Sequence, residues 1–381
     1  MTVREPAGFV GWVYHRAHAM NALTLHAPFD VRHESVAEPR IEDPGDVVIE
    51  VEVTAICGSD LHPFRGHEVG CDPGTIMGHE FLGRVIEVGA EVARFAIGDR
   101  VVAPFTTSCG QCFYCRRGLT CRCIHGQLFG WVENGEGLHG AQAERVRVPL
   151  ADSSLIAVPA GAGDAGSDSA ASAAETALFA GDILATGHFC AEQAGVGPEV
   201  TAVVLGCGPV GLMAVVACRE LGAARVLAVD SVSERLLLAE RFGAEPIDLA
   251  RGTDQVVAEV RRCTDGHGAD AVLEAVGSSG ASALAIEVVR PGGAIAAVGV
   301  HSEPHFAFSP GQVYDKNLRY SAGRCPARAY MDRVLDIAIA RSDDLAAIIS
   351  HRLPLSDGVD AYRIFDKKLE GCTKVLLYPG D

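Results

Sequence analysis

The chain has 381 residues, 48% apolar and 21% charged, which is enough to bury two or three globular cores without disulfides or metals to hold them. Its formal net charge of −17 excludes the basic footprint of a nucleic-acid binder. No apolar run reaches the roughly 18 residues of a membrane span, and 43 glycines with 18 prolines fall well short of a low-complexity chain.

In chain order, residues 1–19 read as an extension foreign to the rest of the chain. They carry Arg4, His15 and Arg16 where a secretory signal needs a continuous apolar segment. A compact pattern begins at Met20, with a strand over Ala22–His26 and a polar turn at Glu42–Asp46. Val47–Ile56 alternates apolar and polar residues, the period of a strand. Short strands and glycine turns continue to Val148. Ala160–Ala174 is almost all Gly, Ala, Ser and Asp and reads as a flexible surface loop or insertion.

From Val200 the texture changes. Apolar strands are predicted at Thr201–Leu205, Arg225–Val229, Ala269–Glu274 and Gly293–Val298. Helices are predicted at Pro209–Leu221, Glu234–Phe242 and Ala281–Val289. Such alternation is the signature of a parallel, doubly wound α/β sheet. It stops near Arg319, and Met331–Ala340 is a last predicted helix.

Gly206-Cys207-Gly208-Pro209-Val210-Gly211 fits G-x-G-x-x-G. Gly135–Gly140 and Gly161–Gly166 fit it too, but only the first follows an apolar strand and opens an apolar helix. There the three glycines serve the tight turn, the approach to a pyrophosphate and the packing of helix on strand. Asp230 ends the next strand 19 residues past Gly211, where an acid accepts the adenosine ribose hydroxyls. An Asp capping the following helix is the structural alternative. An acid here repels a 2′-phosphate, which favours NAD over NADP. Arg235 is placed on the adenine side, and Gly277 and Val298 complete the expected cofactor-binding set.

The chain has thirteen cysteines and no secretory signal, so a reducing cytoplasm is expected, where clustered cysteines point to metal or catalysis. Cys109, Cys112, Cys115 and Cys123 form C-x₂-C-x₂-C-x₇-C, with Cys121 as an extra. Four thiolates suit a closed structural zinc site, and an iron–sulfur cluster is the competitor that this window leaves open. A second metal site wants three protein ligands and one open position. Cys57, His79 and Asp182 could supply them, but no spacing rule links the three. A second Gly-His-Glu at Gly66–Glu68 shows how cheap the tripeptide around His79 is.

The chain from Met20 onward resembles the zinc-dependent alcohol dehydrogenases of the medium-chain dehydrogenase/reductase superfamily. The motifs are Cys57-Gly58-Ser59-Asp60-Leu61-His62, Gly78-His79-Glu80-Phe81-Leu82-Gly83-Arg84-Val85, Val88-Gly89, Gly98-Asp99-Arg100-Val101, the four-cysteine lobe, Gly206–Gly211 and Gly268-Ala269-Asp270. It is most similar to the threonine dehydrogenase-like and formaldehyde dehydrogenase-like branches. Those branches place an Asp where others carry a third-ligand Cys, and Asp182 falls on that position. The resemblance implies a GroES-like, β-rich catalytic domain over 20–186 and 322–381, with a Rossmann NAD-binding domain over 187–321.

It also implies two zinc ions per chain and NAD. Cys57, His79 and Asp182 would bind the catalytic zinc, with Glu80 behind it. Cys109, Cys112, Cys115 and Cys123 would bind the structural zinc. Ser59 would touch the substrate hydroxyl, His62 would end a proton relay, and Phe105 would line the pocket. The implied reaction moves a hydride between a small alcohol or aldehyde and NAD, in a cytoplasmic homodimer or homotetramer with no nucleic-acid or membrane partner. A carbonyl reductase, or a polyol or amino-alcohol dehydrogenase on the same fold, is the alternative. A zinc-bearing protein without catalysis is a remote one.

Overall fold

The computed structural model of the protein describes residues 19–159 and 168–380, and of residues 168–172 only the backbone. The extension before Ala19 and half of the Gly/Ala/Ser/Asp segment therefore lie outside the described residues.

The first strand runs Ala19–Ala27. It forms a three-stranded sheet with Asp30–Ala37 and Thr75–Ile76. Val47–Ile56 lies inside a seven-stranded sheet, between Phe81–Val88 on one side and Lys374–Tyr378 on the other. Its apolar side chains are fully covered, while Glu50 stays exposed. Lys374–Tyr378 runs antiparallel to it, with Val375 opposite Ile56, so the last strand of the chain pairs with the third.

A further sheet has six strands, all parallel. They lie in the order Glu245–Asp248, Arg225–Asp230, Thr201–Leu205, Ala269–Glu274, Val289–Ala297, Arg319–Ala322. Numbered along the chain this is 3-2-1-4-5-6, the doubly wound dinucleotide-binding order. Its switch point lies between Thr201–Leu205 and Ala269–Glu274. Helices Pro209–Glu220, Ser233–Arg241 and Ser279–Val288 agree with the sequence reading to within two residues. Thr253–Cys263 is a helix that the reading missed. Arg319–Ala322, where alternation was expected to stop, is the sixth strand.

One expectation is corrected. The second half of the segment read as a loop is a helix, Asp168–Ala177, and Ala173 and Ala174 are buried. Alanine is the strongest helix former, and its small side chain packs closely. Gly/Ala/Ser/Asp composition alone does not separate such a helix from a linker.

Helix Ile183–Gln193 joins the two halves. It shares one buried cluster with Pro209–Glu220 and Ala327–Ala340. Gly187 meets the Met213–Ala214 backbone more closely than a Cβ would allow. The helix that begins beside Asp182 therefore packs directly on the helix that follows the glycine loop.

Candidate active site

Cys57 ends the apolar strand Val47–Ile56, His79 and Glu80 lead into Phe81–Val88, and Asp182 precedes Ile183–Gln193. The structure brings the ligand atoms of Cys57, His79, Glu80 and Asp182 within 4.8 Å of one another, all buried. Asp182 Oδ2 lies 3.3 Å from Cys57 Sγ and 3.4 Å from His79 Nε2. The half-buried Ser59 hydroxyl stands 3.4 Å from Cys57 Sγ and 3.2 Å from His79 Nε2. Phe105 presents its ring edge-on, 6.4 Å from the His79 ring. The second Gly-His-Glu, Gly66–Glu68, differs in character, because His67 and Glu68 are exposed.

Three residues that the sequence reading left without a role organise the cluster. Asp60 Oδ1 is 3.1 Å from His79 Nδ1, which leaves Nε2 facing the other ligands. Asp60 Oδ2 accepts the Cys57 N–H at 2.8 Å and the Gln142 amide at 3.3 Å. The fully buried Lys374 donates to Glu80 Oε1 at 2.6 Å and to the Ile56 carbonyl at 3.2 Å. A lone lysine heading the apolar strand Lys374–Tyr378 was the available signal.

The donor set fits a cation. Burial pushes the Cys57 thiol up to about 11, and the Asp182 and Glu80 carboxylates push it the same way. Burial also raises Glu80 against the pull of Lys374. Burial works to raise Asp182 as well, but the hydrogen bond and charge of His79 outweigh it and hold the carboxyl below its usual range. Glu80 Oε2 is buried with no hydrogen-bond partner. A thiol, two carboxylates and an imidazole gathered in a dry site are what a zinc ion takes.

His62 lies on the short helical turn Leu61–Phe64. Its Nδ1 is buried and unpartnered, and its ring stands 6.2 Å from that of His67. Burial lowers its pKa, so it is neutral at pH 7. Among the described residues no side-chain hydrogen bond joins it to Ser59; the direct link is its N–H to the Ser59 carbonyl at 3.1 Å.

The four cysteines Cys109, Cys112, Cys115 and Cys123 also converge within 4.8 Å. Backbone N–H groups of Cys109 and His125 donate to Cys123 Sγ at 3.2 and 3.4 Å. Backbone hydrogen bonds, that from Cys115 foremost, draw Cys112 down to about 6, into the thiolate range. This set suits a closed thiolate site. Cys121 stands apart, with its thiol on the Arg324 carbonyl at 3.3 Å.

At the carboxyl edge of the parallel sheet, Gly206 turns with φ +87°, and a Cβ at Gly211 would collide with the Gly206 carbonyl oxygen. A Cβ at Gly208 would meet only Arg235, at 3.7 Å, so this backbone faces open space. Helix Pro209–Glu220 begins at this turn with Pro209 in its first turn, and Val210 comes next. The open backbone and the helix N-terminus fit a pyrophosphate.

Asp230 accepts the N–H of Cys207 at 2.7 Å and of Val232 at 2.9 Å. It does not cap the next helix, whose N-cap residue is Val232. Arg235 lies 4.0 Å from Asp230, and its Nε is buried without a partner. Gly277 and Val298 meet around Glu274, a buried acid that the reading passed over. Glu274 Oε1 accepts the Gly277 N–H, its carbonyl accepts the Val298 N–H at 2.9 Å, and its Oε2 lies 3.0 Å from His301.

Against known proteins, residues 43–160 match the family described as alcohol dehydrogenase GroES-like domain, and residues 209–339 match zinc-binding dehydrogenase. Zinc-type alcohol dehydrogenase B of Aspergillus flavus is 40% identical over 353 residues, which is 91% of this chain and 79% of that protein. The chain belongs to the zinc-dependent alcohol dehydrogenases of the medium-chain dehydrogenase/reductase superfamily.

Among solved structures, alcohol dehydrogenase TADH from Thermus sp. ATN1 superposes with a TM-score of 0.85 at 38% identity, covering 94% of this chain and 99% of that one. A putative zinc-binding dehydrogenase of Sinorhizobium meliloti, bound to NADP, gives 0.78 at 26% identity over 95% and 100%. The protein is thus a zinc-dependent oxidoreductase built from a GroES-like and a Rossmann domain, using a nicotinamide cofactor on small-molecule alcohols. Among the described residues no helix is long and apolar enough to cross a membrane.

Proposed function

We propose that the protein is an NAD-linked alcohol dehydrogenase with two zinc ions per chain. Cys57, His79 and Asp182, with Glu80 behind them, hold the catalytic ion, and Cys109, Cys112, Cys115 and Cys123 hold the structural one. The observation that carries this reading is the convergence of Asp182 on Cys57 and His79 from 125 residues along the chain, at the foot of the helix packed on the glycine-loop helix.

When bound, the catalytic zinc supplies a Lewis acid for an alcohol oxygen. Ser59, beside the cluster, takes the proton of the substrate hydroxyl. From there the proton would travel through the nicotinamide ribose to the neutral His62 at the solvent end, while the substrate hydride would pass to NAD. Phe105 shields the His79 side from water. Gly206, Gly208, Pro209, Val210 and Gly211 hold the cofactor pyrophosphate, Gly277 and Val298 hold the nicotinamide end, and Asp230 and Arg235 hold the adenosine end. The GroES-like domain spans 20–186 and 322–381, and the Rossmann domain spans 187–321. Thirteen free cysteines suit a reducing cytoplasm, and the open edge strand Arg319–Ala322 suits a homodimer or homotetramer.

Elemental analysis with a chelator series tests the metal reading. Two zincs per chain are expected, and activity should fall before the fold does. Asp182→Ala should lose one zinc and all turnover while the four-cysteine zinc remains. Glu80→Ala should keep both ions and lose part of the rate. One metal per chain, or iron, overturns the reading.

The cofactor choice is tested by titrating NADH and NADPH against intrinsic fluorescence. Asp230→Ala should weaken NADH by roughly 1–3 kcal/mol and narrow its advantage, because hydrogen bonds to a charged group are lost. A wild type that prefers NADPH, as the cofactor of the Sinorhizobium relative would have it, overturns that part alone.

A further inference from the structure

We infer that Thr186 is a positioning residue for the catalytic metal: its hydroxyl holds one carboxylate oxygen of Asp182, so that the other alone faces the ion. The inference rests on the metal reading above and adds to it a residue outside the ligand set.

The two oxygens of Asp182 have different surroundings. Oδ2 faces Cys57 Sγ at 3.3 Å and His79 Nε2 at 3.4 Å. Oδ1 turns the other way and accepts the Thr186 hydroxyl at 3.1 Å. The main chain ties the same pair together, because the Thr186 N–H donates to the Asp182 carbonyl at 2.7 Å. Asp182 occupies the N-cap position of Ile183–Gln193 but makes no capping hydrogen bond. Its carboxylate is therefore committed to the cluster on one side and to Thr186 on the other. Both residues are buried.

A carboxylate oxygen only accepts, so the Thr186 hydroxyl is the donor to Oδ1. An ion held by this cluster would then meet one oxygen of Asp182. A carboxylate free at both oxygens can close on a cation with both. That would fill the position an open catalytic zinc must keep for substrate.

The test compares Thr186→Val with Thr186→Ser in the full chain. Valine keeps the branched shape and bulk but has no hydroxyl; serine keeps the hydroxyl. Zinc release under a chelator is followed with a metal-sensitive dye, with the four-cysteine ion as internal reference. Thr186→Val should release the catalytic ion about 10–100-fold faster than wild type, the range for groups that orient a metal ligand. Thr186→Ser should stay near wild type, and the slow four-cysteine phase should not change. In the cobalt-substituted protein, Thr186→Val should show weaker visible absorption, since a second carboxylate oxygen takes the site away from tetrahedral geometry.

Unchanged release and spectrum in Thr186→Val overturn the inference. So does a Thr186→Ser that behaves like Thr186→Val, because packing would then be the cause. A wild type with one metal, or an Asp182→Ala protein that retains two, defeats the underlying metal reading instead. The two failures are thereby distinguishable.

Discussion

Asp60 does the most with the fewest atoms. One oxygen orients His79, and the other takes the Cys57 N–H and the Gln142 amide, which in turn accepts from Tyr362 at 2.8 Å. It thus sets the outward tautomer of one ligand and the backbone of another. Asp60→Asn keeps the shape but puts either an amide nitrogen against the His79 N–H or a weaker acceptor in its place. We expect catalytic zinc to bind about 10–100-fold more weakly, measured by competition with a chelator, with the four-cysteine zinc unaffected. Equal affinity would show that His79 is oriented by packing alone. The four-cysteine site was legible in the sequence because all its ligands fall within fifteen residues. Asp182 was reachable only through family resemblance, since no local rule spans the chain from Cys57. Asp60 sat inside a quoted motif, yet nothing in its spacing told which atom it would face.

At the level of elements, the strand Lys374–Tyr378 ties the end of the chain to Val47–Ile56 through a buried ion pair as well as the ladder. Removing one member strands the other charge without water. Lys374→Met should cost about 3–5 kcal/mol of unfolding free energy, the range for a broken buried pair. Adding Glu80→Gln to it should recover much of that loss in a denaturant melt, because the orphan charge is gone. A double variant no more stable than the single would mean that Lys374 acts through packing or the Ile56 carbonyl.

Four of the six parallel strands were legible because both faces are buried and the sequence runs apolar; the edge strands Glu245–Asp248 and Arg319–Ala322, largely exposed, were not. Helix Thr253–Cys263 was not, although Val256 and Val260 share its buried stripe, because only those two of its side chains are buried. Helix Asp168–Ala177 was hidden by a composition that reads equally as linker. Its Glu175, paired with Arg352 at 2.7 Å, was the one residue to argue for order.

For the whole molecule, part of the acid stability rests with a residue that the chemistry does not use. His188, on the helix that joins the halves, is 2% exposed, and neither ring nitrogen has a hydrogen-bond partner. Burial first, and the Arg333 charge second, lower its pKa from 6.5 to about 4, against a smaller pull from Glu192 and Glu220. The folded state therefore keeps the ring neutral where the unfolded chain takes up a proton. The contribution is fully present above pH 6.5, is lost as pH falls toward 4, and does not change further below that, when both states are protonated. At 1.36 kcal/mol per unit the loss is of the order of 3 kcal/mol. His188→Leu removes the titration. At pH 7 it should be neutral or slightly stabilising, since a buried polar ring without partners leaves. Between pH 6.5 and 4 the variant should lose less stability than wild type. Metal release at acid pH acts on both proteins alike and cancels in the difference. Denaturant melts of the two proteins at several pH values, compared pairwise, decide the matter. A gap that does not widen as the pH falls would mean that His188 finds a proton or a water in the folded state.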